Sequence, residues 1–126
     1  MVHRGALSDF IDDLQAAGRL TFTREDAMTA LGVTAGALKQ AALRLAKRRR
    51  LVSPRRGFFI IVPLEYREAG APPVDRWLPE LLRFHGAREL EREVEGGEVV
   101  VTVDRFLRAM SVGQHRVRFR VETVRR

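Results

Sequence analysis

The sequence predicts an α+β fold in two parts, on three observations. Residues 23–57 read as two capped helices around a short glycine turn, followed by a basic hairpin. Residues 58–62 form an almost unbroken apolar run suited to a buried strand, and residues 117–123 alternate apolar and charged positions as a half-buried strand does. Between these regions, 64–73 (LEYREAGAPP) has the Gly and Pro content of a connection. The expected organisation is a first domain over 1–64, a connection over 65–73 and a small second part over 74–126.

Taken in order, Ser8 is placed to cap a first helix, with Asp9 in its first turn. Phe10, Ile11, Leu14 and Ala17 form its apolar face, and Gly18 ends it. Residues 19–22, with Leu20 and Phe22 alternating against Thr21, suit a short strand. Thr23 with Asp26 three residues on makes a capping-box pattern. Ala27, Ala30 and Leu31 then share a helical face, and Gly32 is able to leave the helix in a left-handed conformation.

Thr34 can cap the next helix, which sets Leu38, Ala41, Ala42 and Leu45 on one stripe at i, i+3, i+4, i+7. Its opposite side carries Gly36, Gln40, Leu43, Arg44 and Lys47, with Lys39 beside them. Leu51 and Val52 read as a strand, 53–57 as a turn with Arg55 and Arg56 at its tip, and 58–62 as the returning strand. Helix, short strand, helix, turn, helix, hairpin is the order of a winged helix-turn-helix.

In the second part, Trp77, Leu78, Leu81, Leu82 and Phe84 form an apolar segment in which Pro79 either starts a helix or kinks it. Trp77 reads as a packing anchor. Residues 87–97 carry Glu89, Glu91, Glu93 and Glu95 at alternate positions, where Leu90 and Val94 alone do not decide helix from strand. Residues 99–103 are β-branched. Val117, Phe119, Val121 and Thr123 alternate with Arg116, Arg118, Arg120 and Glu122, and Gly113 with Gln114 makes a two-residue hairpin turn back to 106–112. A helix followed by an antiparallel sheet is expected.

Composition narrows the function. The chain has 126 residues, a formal net charge of +7 and pI ≈ 11.2, so a polyanionic partner is expected, nucleic acid or an anionic membrane surface. No apolar run approaches the roughly 20 residues of a bilayer span, and the N-terminus lacks a signal-peptide core. With no Cys, neither a disulfide framework nor a thiolate metal site is expected, and a cytoplasmic setting is the simplest reading. Arg is used far more than Lys, which hints at a GC-rich bacterial genome. No phosphate loop or nucleophile motif appears, and His3, His85 and His115 are scattered, so no enzyme and no cofactor are expected. The glutamate series has the makings of a divalent-ion site, but a solvated acidic edge is the better expectation.

The string from Arg19 to Pro73 carries a T-F-T-R-E start, an A-L-G-V turn, an L-V-S-P-R-R-G-F hairpin and I-V-P-L-E-Y-R-E-A-G-A-P-P. In these features it resembles the N-terminal part of AbiEi-type antitoxins, the antitoxins of abortive-infection, type IV toxin–antitoxin pairs. The tail VVTVDRFLRAMSVGQHRVRFRV is similar to the end of that family's conserved block. The resemblance implies a winged helix that binds promoter repeats and represses its own operon. It also implies a C-terminal region opposing a nucleotidyltransferase-like toxin. Two departures stand out. Arg49 occupies a position where the family tends to have Gly, so the helix is expected to end differently or run on. Acidic residues 87–98 replace a longer, alanine-rich stretch.

From Thr34 to Gly57 there are eight Lys or Arg and no acid. The candidate DNA-binding residues are Thr34, Lys39, Gln40, Arg44, Lys47, Arg48, Arg50, Arg55 and Arg56. Lys39, Gln40, Arg44 and Lys47 suit a major groove, where Gln pairs with adenine and Arg with guanine. Arg48, Arg50, Arg55 and Arg56 suit backbone or minor groove. Expected partners are double-stranded DNA, a nucleotidyltransferase-like toxin and a second copy of the chain, with no membrane. The rival reading is a protein-interaction module in which 74–126 binds a toxin or itself. RNA is a weaker third, because Tyr66 and Trp77 lie outside any evident stacking surface.

Overall fold

A computed structural model describes residues 6–122. Thr123 and His3 therefore lie outside the described residues. The chain is α+β, with four α-helices and two sheets among the described residues. It divides into two compact units, Met1–Pro72 and Pro73–Arg126, so the expected connection at 65–73 falls almost wholly within the first.

The first unit runs α1 (Ala6–Ala16), β1 (Thr21–Thr23), α2 (Arg24–Leu31), α3 (Ala35–Lys47), β2 (Leu51–Arg55) and β3 (Phe58–Ile61). The strands form one antiparallel sheet in the order β1-β3-β2, with Thr21 opposite Ile60 and Leu51 opposite Ile61. Leu7 and Ile11 from α1, Ala27 from α2, Leu38 and Leu45 from α3, and Leu20, Phe22, Leu51 and Ile61 make its core. Phe22 stacks on Phe59 at 4.9 Å and meets Phe10 edge-on at 5.4 Å. Ala17 and Ala30 are exposed, so neither belongs to the buried faces expected of them.

Local chemistry sets the helix ends. Thr23 and Asp26 form the reciprocal capping box, and the Thr34 hydroxyl accepts the Ala37 N–H at 3.1 Å. Ser8 is not a cap. The first helix begins at Ala6, and the Ser8 hydroxyl instead accepts a hydrogen bond from Arg50. Nor does α3 run on. Arg49 adopts φ 60°, its N–H donates to the Ala46 carbonyl, and the Arg50 N–H donates to the Leu45 carbonyl, both at 2.9 Å. These are the two bonds of a Schellman ending, built here on an arginine.

The hairpin turn is tighter than the five residues expected. Strand β2 continues through Pro54 and Arg55, which pairs with Phe58, leaving Arg56 and Gly57 as the turn. A register shift between Val52 and Arg55 accommodates Pro54, which has no N–H to give the ladder. The Ser53 hydroxyl, 2.9 Å from the carbonyls of both Arg55 and Phe58, secures the bulge.

The second unit holds α4 (Leu78–Phe84), β4 (Glu89–Glu95), β5 (Glu98–Val103), β6 (Met110–Val112) and β7 (His115–Val121). Pro79 sits in the first turn of α4, and Trp77 is fully buried. The acidic segment is a strand, returned by a Gly96–Gly97 turn with both residues at positive φ. The sheet order is β4-β5-β7-β6, and β5 pairs with β7 in parallel. This corrects the antiparallel expectation: the sheet is mixed. Residues 104–109 carry the chain past one strand position before β6, and β7 turns back into the gap at Gly113 and Gln114.

Candidate nucleic-acid interface

The rotation of α3 is fixed by Leu38 and Leu45, which point into the core. Thr34, Lys39, Gln40, Leu43, Arg44 and Lys47 are consequently exposed, as is Arg48 at the cap. Gly36 lies on the same exposed side, and nothing stands within 4 Å of where a Cβ would be added. A glycine inside a helix costs roughly 0.5–1 kcal/mol relative to alanine, so this position leaves the backbone open at some expense in stability.

One flank of α3, the β2–β3 hairpin and the start of α2 border an open cleft of about 580 Å³, and of the exposed α3 candidates Lys39 lines it while Thr34, Gln40, Arg44, Lys47 and Arg48 stand outside it. Arg24, Lys39 and Arg56 line it, with Gly36, Leu43 and Phe59 contributing to its walls, and no acidic residue does. The Arg24 N–H donates to the Gly57 carbonyl at 2.8 Å, which ties the hairpin turn to the first residue of α2. Its guanidinium lies 3.6 Å from Glu25 in a largely exposed pair that competes weakly for it. Arg24 was not among the sequence candidates. Its placement directly after the capping Thr23 is the signal that points to it.

Two candidates are engaged elsewhere. The Arg50 guanidinium donates to Ser8 and, at 2.8 Å, to Asp12, tying the end of α3 to α1. That removes Arg50 from the unpaired cations. Arg55 lies half-buried in β2 and donates to the Pro54 carbonyl at 3.3 Å, so the turn projects Arg56 rather than both arginines.

The glutamate series also has partners. Across the middle strand β5, Arg120 reaches Glu93 and Glu95, while Arg118 reaches Glu95 and Glu98. Arg116 stands 3.5 Å from Glu98. On β4, Arg92 joins Glu89 to Asp75. The Arg120 guanidinium bonded to Glu95 holds that carboxyl below the usual carboxylate range, and Glu93 raises Arg120 in return. Arg92 is raised chiefly by its hydrogen bond to Glu89. The solvated acidic edge is thus an ion-pair ladder, with Val100 and Thr102 buried beneath it. The complementary alternations EREVE and RVRFR were its signal in the sequence.

Eight cations without an acid in 34–57 exceed the +7 of the whole chain, so the rest is close to neutral. The uncompensated charge lies on α3 and the hairpin. Comparison with family models, curated proteins and solved structures finds no match for this chain. Among the described residues no helix is long and apolar enough to cross a membrane.

Proposed function

We propose that the first unit is a winged helix-turn-helix that binds double-stranded DNA, and that the protein is a bacterial transcriptional autorepressor of the antitoxin type. The observation that carries this reading is the cleft where α2, α3 and the hairpin converge Arg24, Lys39 and Arg56 with no acid among them. A duplex needs a helix for the major groove and cations for the flanking phosphates. Lys39, Gln40, Arg44 and Lys47 supply the groove contacts; Arg24, Arg48 and Arg56 meet phosphate. The resemblance to AbiEi-type antitoxins supports promoter repeats as the target; with acidic residues 87–98 in place of the family's longer stretch, it supports neutralisation of a toxin poorly.

Binding of the full chain to its own upstream region, measured by fluorescence anisotropy with and without excess random duplex, tests this. Retention of the complex in the presence of competitor is expected. No binding at low salt refutes the DNA reading. A second reading, in which the second unit assembles with a protein, is favoured by Val94 on edge strand β4 and by Phe106, 72% and 74% exposed. Light scattering tests the homomeric case, for which a dimer at micromolar concentration is the expected result.

A further inference from the structure

Among the described residues Arg49 is the single non-glycine residue at positive φ. The fold dictates that conformation. The Val62 N–H donates to the Arg50 carbonyl, and Leu51 pairs with Ile61, so the chain must leave α3 within two residues of Lys47 and enter the sheet. Whatever residue stands at 49 must be left-handed. The other three helices meet the same demand with glycine: Gly18 after α1, Gly32 after α2 and Gly86 after α4 have φ of 80°, 63° and 66°. For an L-residue with a Cβ the left-handed region is disfavoured, and such strain, held in place by the surrounding structure, clusters where a side chain has a use.

That use is not internal. Arg49 is exposed, and among the described residues its guanidinium has no hydrogen-bond or ion-pair partner. Arg50 beside it is held by Ser8 and Asp12. Arg49 instead extends the exposed cations Arg44, Lys47 and Arg48 beyond the last turn of α3. We propose that Arg49 is a DNA phosphate contact, kept at a position where glycine would be more stable. The inference rests on the DNA-binding reading given above and adds a contact just beyond the C-terminal end of α3.

The test compares the full chain with Arg49→Gly, Arg49→Lys and the control Arg76→Gln, an exposed arginine of the second unit. Thermal melts and the salt dependence of duplex affinity are measured for each. Arg49→Gly is expected to melt a few degrees higher yet bind several-fold more weakly, with a log–log salt slope shallower by about 0.9. Arg49→Lys should keep the wild-type slope, and Arg76→Gln should change neither quantity. If the wild type binds duplex and Arg49→Gly keeps both its affinity and its slope, the Arg49 assignment is wrong while DNA binding stands. If the wild type fails to bind duplex at low salt, the DNA reading falls and this assignment with it.

Discussion

Under the DNA-binding proposal, Leu45 and Gln40 divide stability and recognition on α3 between them. Leu45 is buried in the core of the first unit and Gln40 is exposed, so their truncations separate stability from recognition. Leu45→Ala is expected to destabilise by about 2–5 kcal/mol in a denaturant titration. Gln40→Ala should leave the melting temperature within about 3 °C, as surface changes do, while weakening only the preferred operator. The reverse pattern would mean that the helix is rotated. Arg50 and Arg56 form a second informative pair. Arg56→Ala should weaken all duplexes alike and reduce the salt slope by about one. Arg50→Ala should leave that slope unchanged and instead destabilise by about 1 kcal/mol, a modest figure because Asp12 is well exposed. A fall in slope on Arg50→Ala would place its guanidinium on DNA.

At the scale of elements, the ladder across β4, β5 and β7 makes the second unit acid-sensitive. Glu95 is held below the usual carboxylate range by Arg120, so it binds fewer protons folded than unfolded. Its contribution is present above that range and is lost as pH falls through it, about pH 4 and below. Trp77 is the chain's one tryptophan and lies buried in this unit, so its fluorescence reports the transition. Glu95→Gln is expected to flatten the acid limb of that titration, and molar salt should weaken the ladder in the wild type because every member is exposed or half-exposed. An identical acid profile in the variant would remove the ladder from the stability account. The hairpin makes a different point. Its bulge at Pro54 takes Arg55 into the strand and leaves Arg56 alone at the turn, and nothing within 53–57 taken as a string announces that division.

For the whole molecule, the decisive property is where charge stays uncompensated. Arg116, Arg118 and Arg120 in the second unit pair with glutamates across the sheet, whereas the arginines of 34–57 have no acid within their own stretch. Duplex binding should therefore stabilise the protein by mass action. At a hundredfold excess over Kd the gain is about 2.7 kcal/mol, seen as a higher far-UV melting temperature. At high salt the gain should vanish, since phosphate contacts are lost with counterion release. A melting temperature insensitive to duplex at low salt would argue that the basic surface is merely solvated.

The sequence by itself determined what neighbours within a few residues can settle. The capping box at Thr23 and Asp26, the Thr34 cap, the left-handed Gly32 and the inward stripe of Leu38 and Leu45 all follow from contacts inside four residues or from helical period. Exposure of Lys39, Gln40, Arg44 and Lys47 follows from that same period. Only the tertiary structure decided the rest, because its partners are distant in the chain. Arg50 is bonded to Ser8 and Asp12, which come to it from 42 and 38 positions away. Arg24 enters the cleft because β1 pairs beside the hairpin, and β5 runs parallel to β7 because the last hairpin docks by its second strand. Strand alternation tells which face a side chain takes but not which strand lies alongside, since the pattern repeats every two residues for any neighbour.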